Sequence, residues 1–126
     1  MSDCTEKMLQ LAGEFKECQK AFTAIGDETR QRILVALLEG GNDGMRVGEI
    51  TKKTHLSRPA VSHHLHVLKD AHMINMHREG TMNYYYVNHK DTQWGRILHL
   101  VEHINEAIME VSETQQAGDC RAYEDE

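Results

Sequence analysis

Residues 56–71, LSRPAVSHHLHVLKDA, constrain the fold more than any other part of the chain. Val61, Leu65 and Leu68 recur at steps of four and three and make one apolar stripe of a helix. Ser57 can cap that helix, and Pro59 suits its first turn, where a backbone N–H has no partner to lose. The preceding GEITKKT reads as a second short helix, and only His55, Leu56 and Ser57 separate the two. Helix, tight connection, helix is the helix-turn-helix pattern, whose second helix can enter the major groove of DNA. With 61, 65 and 68 inward, Ser57, Arg58, Ala60, Ser62, His63 and His66 face outward. Small residues at the helix start let its backbone approach a duplex, and Arg58, Ser62 and His63 can donate to phosphates and base edges. No acid interrupts this stretch before Asp70.

The next segment, INMHREGTMNYYYVN, changes period from helix to strand. Tyr85 and Val87 share one face, Tyr84 and Tyr86 the other, and Glu79-Gly80-Thr81 supplies the reversal of a two-stranded hairpin. Arg78 near its tip suits a wing, a ribbon that carries a cation to the flanking backbone or minor groove. Charge follows the same division. The chain carries a net −6, yet residues 46–90 hold seven Lys or Arg against three acids, so this segment is +4 and the remainder −10. Attraction for a polyanion is thus confined to one surface.

Upstream, Met8, Leu11, Ala12, Phe15, Cys18 and Phe22 predict one continuous first helix ending at Gly26. Asp27 caps the next, with Ile33, Leu34, Leu37 and Leu38 as its buried stripe and EGGNDG as its stop. Residues 45–47 are long enough for a single strand rung. The last helix, roughly 91–113, carries Trp94, Ile97, Leu98, Val101, Ile104, Ile108 and Val111, more apolar surface than one small core needs. A second copy of the chain would cover the excess.

The expected architecture is α+β and mostly helical: a winged helix-turn-helix of about five helices and a two-stranded wing. Residues 1–113 form one domain, with 46–90 as the DNA-binding core. Residues 114–126 read as a flexible acidic tail.

No apolar run is long enough to span a membrane, and MSDCTEKM lacks the features of a signal peptide, so the expected location is cytoplasmic. Three cysteines at irregular spacing argue for reduced thiols. The motifs that would mark an enzyme, a phosphate-binding glycine loop, a nucleophile elbow or a His-Glu-x-x-His helix, are not in the sequence.

AIGDETRQRILVALLEG, GEITKKTHLSRPAVSHHLHVLKDAHMI and HREGTMNYYYVN together resemble the ArsR/SmtB family of bacterial winged-helix repressors, over about residues 20–106. The resemblance implies a homodimer, formed through the first and last helices with residues 1–25 and 91–113 as dimerisation helices, on an imperfect palindrome of double-stranded DNA in its own promoter region, released when an effector binds. Many relatives sense metals or arsenite. The family's thiolate site would need cysteines near RVGEITK, and there are none, which argues against soft ions at that place. A second family site, at the last helix, suggests His89, Asp91, His103 and Glu106 as ligands for a zinc-like ion, although His89 and Asp91 stand in reversed order. His99 and Glu102 repeat the His-x-x-Glu spacing. The competing reading makes His99, His103, Glu106 and Glu110 a solvated face opposite Trp94, Ile97, Val101 and Ile108. His64, His66, His72 and His77 are weaker ligand candidates, and one or two of them are expected to face the DNA or cover the wing. Cys4, Cys18 and Cys120 leave a thiol-based sensor open, with Cys18 in the apolar stripe. A winged-helix module with no effector is the remaining alternative.

Overall fold

The structure is a computed structural model that describes residues 3–114. Its elements are α1 (Asp3–Glu17), α2 (Gln19–Ile25), α3 (Glu28–Glu39), a 3-10 turn (Gly41–Asp43), α4 (Val47–Thr54), α5 (Arg58–Asp70), β1 (Asn75–Glu79), β2 (Met82–Tyr86) and α6 (Trp94–Thr114). Two compact units are formed, one from residues 19–95 and the other from the two ends of the chain.

In the unit of residues 19–95, α3, α4 and α5 pack on one another around Ile33, Leu37, Ile50, Val61, Leu65 and Leu68, all of them buried. Asp27 caps α3 as expected, its carboxylate accepting from Arg30 N at 2.9 Å. Leu38 departs from expectation: it is exposed, and Ala36 takes the buried position. The run ILVALL is apolar on every side, so its spacing does not fix which side turns inward.

The turn of the helix-turn-helix is closed by His55, whose left-handed backbone (φ 61°) ends α4 with its N–H on Thr51 O at 2.8 Å. Ser57 then caps α5, its Oγ accepting from Ala60 N at 3.2 Å, with Pro59 in the first turn. At the far end Met73 N donates to Leu68 O at 2.9 Å while His72 takes φ 58°, the arrangement of a Schellman stop.

β1 and β2 pair antiparallel from Asn75 opposite Tyr86 to Glu79 opposite Met82, which leaves Gly80 and Thr81 as a two-residue turn. Gly80 has φ 62°, where a two-residue hairpin of the II′ kind requires left-handed backbone. Met45 adds the expected single rung, exchanging two 2.8 Å bonds with Tyr85. The Trp94 indole donates to Met73 O at 2.8 Å and fixes the start of α6 on this unit.

The other unit consists of α1 and α6 from Arg96 onward. The first helix is two helices, making six among the described residues: Cys18 N donates to Phe15 O at 3.0 Å, a three-residue closure that stops α1 and breaks the continuous helix the sequence suggested. The orientation of α6 also differs from expectation. His103 is half-buried with Nδ1 3.1 Å from Glu14 Oε1, and Lys7 Nζ lies 3.0 Å from Glu110, so α1 covers the polar side. Leu98, Val101 and Ile108 are exposed, whereas Leu100 and Ala107 are buried. α6 begins at Trp94, later than expected, and Asp91 lies before it in left-handed backbone.

Candidate nucleic-acid interface

α5 is held from behind and open in front. Ser57, Arg58, Ser62, His63 and His66 are exposed, and Ala60 is half-buried, all on the side away from Val61, Leu65 and Leu68. The first acid of the helix, Asp70, sits at its end and is paired with Lys20 Nζ at 2.8 Å. That pairing, above all the hydrogen bond from Lys20, holds the Asp70 carboxyl below the usual carboxylate range.

The amino end of α5 meets both the start of α4 and the wing. A Cβ built on Gly48 would stand 3.1 Å from the Arg58 guanidinium, so the glycine lets Arg58 lie close over α4. Arg46, Val47, Gly48, Arg58, Thr81, Met82 and Asn83 line one hollow there. Two guanidinium groups at its edge make it positive, and Asn83 Oδ1 is buried without a hydrogen-bond partner among the described residues. Arg46 was not singled out from the sequence. Its position immediately before α4 was the available signal, because a cation there stands beside the next helix of a helix-turn-helix.

On the wing, Arg78 is exposed and its Nε donates to Gly80 O at 3.0 Å, which holds the cation at the hairpin tip. His77 stacks on Tyr84 with ring centroids 5.2 Å apart and pairs with Glu79 at 2.9 Å, so it covers the wing. His64 is half-buried and meets Arg30 instead of solvent.

The residues suggested for a metal fare differently. His89 packs over Gly95, where an added Cβ would meet its Nε2 at 2.7 Å, and His103 is engaged by Glu14. Among the described residues no three His, Cys, Asp or Glu side chains come together in a way that could hold a metal ion. Cys18 is buried, and Cys120 lies outside the described residues. Among the described residues, no helix is long and apolar enough to cross a membrane.

The geometry agrees with known proteins. The family model described as "Bacterial regulatory protein, arsR family" matches residues 27–75, from the cap of α3 to the start of β1. The transcriptional repressor SdpR of Bacillus subtilis is 46% identical over 67 residues, covering 53% of this chain and 71% of that protein. An HTH-type transcriptional regulator of Methanocaldococcus jannaschii is 35% identical over 91 residues, 72% of this chain and 98% of its own length. A protein from E. coli described as a predicted DNA-binding transcriptional regulator, of known structure, superposes with a TM-score of 0.58 at 25% identity, covering 77% of this chain and 96% of that one. The chain thus belongs to the ArsR family of bacterial regulatory proteins: it is a winged helix-turn-helix, DNA-binding transcriptional regulator and not an enzyme.

Proposed function

We propose that the chain is a sequence-specific repressor that binds double-stranded DNA as a homodimer, with α5 in the major groove and the β1–β2 wing on the flanking backbone. The outward face of α5 carries this reading: Ser57, Arg58, Ala60, Ser62, His63 and His66 project from a helix whose other side is locked into the core, and no acid precedes Asp70. Arg58 and His63 are the base-edge or phosphate donors, Ser57 and Ser62 the short polar contacts, and Arg78 the wing cation. Arg46, beside Arg58, joins them as a backbone contact.

The homodimer rests on the unit formed by α1 and α6. Leu9, Leu98, Val101, Ile108 and Met109 are all more exposed than is usual for large apolar side chains, and a two-fold partner would bury them together. Two-fold symmetry then asks for an imperfect palindrome with half-sites about 34 Å apart. Repression follows the likeness to SdpR, which is itself named a transcriptional repressor.

Fluorescence anisotropy on a duplex from the chain's own promoter region tests the reading. Arg58→Ala and His63→Ala each weaken binding by about tenfold or more, with the dimer intact. Unchanged affinity and salt dependence in both variants would remove α5 as the reading helix.

A further inference from the structure

Arg30, in the first turn of α3, uses its guanidinium as a three-way tie. Its Nε donates to Ala24 O at 2.7 Å and one terminal nitrogen donates to Thr23 O at 3.3 Å, which satisfies carbonyls at the end of α2. The other terminal nitrogen lies 3.2 Å from His64 Nδ1, in the middle of α5. A guanidinium has only donors, so Nδ1 must be the accepting, unprotonated nitrogen and His64 must be neutral with its proton on Nε2. His64 is next to His63 in α5, so the tie links α3 directly to the helix that presents the outward face.

Resting on the reading of α5 as the DNA-reading helix, we propose that Arg30 is a positioning residue for DNA recognition, acting through His64, and that protonation of His64 releases the tie and lowers specific affinity. Protonation would convert the acceptor into a donor facing a cation at hydrogen-bond distance, losing the bond and adding like-charge repulsion. The titratable and charged groups around the ring are Arg30 on α3, Asp27 at its cap and His63 on α5. Burial lowers the proton affinity of His64, Asp27 opposes this, and Arg30 and His63 add to it. The Asp27 carboxylate, 4.0 Å from the guanidinium and capping α3, does not reverse the balance. A folded-state value below the ordinary 6.5 makes the tie complete above that pH and progressively lost below it.

Lowering the pH adds positive charge to any protein and so strengthens its attraction to any duplex, which acts in the opposite sense. The informative quantity is therefore the ratio of specific to non-specific affinity, measured on a duplex selected by the native protein at about pH 8 and on a scrambled one. The native ratio falls by about tenfold between about pH 8 and about pH 5. His64→Gln keeps an acceptor for Arg30 but cannot titrate, so its ratio holds across the same range. Arg30→Lys cannot reach all three partners and shows a lowered ratio even at pH 8, with thermal melts confirming that it is folded. An equal fall with pH in His64→Gln and in the native protein would overturn the proposal. Nitrogen-15 spectra read the tie without DNA: His64 Nδ1 unprotonated at pH 8 supports it, and the proton on Nδ1 refutes it. A native protein that prefers no duplex at pH 8 would refute the DNA-reading role of α5, while the spectra still decide the Arg30–His64 contact.

Discussion

α5 and α6 are both amphipathic helices, and the chain treats them in opposite ways. In α5 the apolar stripe is hidden, with Val61, Leu65 and Leu68 at 1% exposure or less, and the polar face is open. In α6 the polar side is engaged by α1, and Leu98, Val101 and Ile108 stand 59%, 50% and 56% exposed. A single chain therefore completes the core behind α5 but leaves apolar surface on its last helix. The difference separates what the fold needs from what the proposed assembly would supply: α5 is finished within one copy, and in the proposed dimer α6 would be finished by two.

Truncating the hidden stripe breaks the comparison most severely. Leu68→Ala empties a fully buried site and should cost about 2–5 kcal/mol, read by chemical denaturation at fixed protein concentration. The matching change on α6 has a different signature. Val101→Glu or Ile108→Glu should shift the molecule from dimer to monomer in sedimentation, weakening association by more than about tenfold, and should leave the melting of the 19–95 unit nearly unchanged. A native chain that sediments as a monomer at micromolar concentration would remove the assembly half of the comparison.

On the open face of α5 the expected effect is smaller and appears only with DNA. Arg58→Ala should lose about 1–3 kcal/mol of binding and reduce the salt slope by about one, with unchanged stability. Smaller again is the wing turn. Gly80→Ala meets no neighbouring atom, so its cost is left-handed backbone alone, about 1 kcal/mol by thermal melting. The gentlest probe is acid. The Arg30 backbone N–H, first among its influences, holds the Asp27 carboxyl below its ordinary 3.8, so the cap stabilises α3 above that pH and is lost as the pH falls through the folded-state value. Asp27→Asn, which still caps but does not titrate, should flatten that part of the acid melt.

How far the sequence carried the fold depended on how one-sided each segment was. α5 has three apolar residues on one side, a Ser cap and an early Pro, and every one of these features stands where the spacing put it. The Asp27 cap and the hairpin reversal around Gly80 were legible for the same reason: each is a local device whose residues lie within a few positions of one another, whereas for the rung at Met45 only the short extended segment was legible, not its partner Tyr85. α3 and α6 were harder. Apolar residues occur all round α3 and over a broad side of α6, so Leu38 and Val101 were as eligible for burial as Ala36 and Leu100. In α6 the side covered by α1 is marked by pairs from distant sequence, Glu14 with His103 and Lys7 with Glu110, which no window along the chain reveals. The break at Cys18 gave no signal, since neither Gly nor Pro marks it. Arg30 was missed because its partners are backbone carbonyls of another helix and a histidine 34 positions away.

Hydroxyl-radical footprinting of the native protein on DNA from its own promoter region tests the central claim most directly. The account predicts two protected patches about one helical turn, 34 Å, apart, related by two-fold symmetry and both lost in an Arg58→Ala, His63→Ala double variant that still sediments as a dimer. Uniform weak protection along the duplex, or a footprint that survives the double variant, would contradict it.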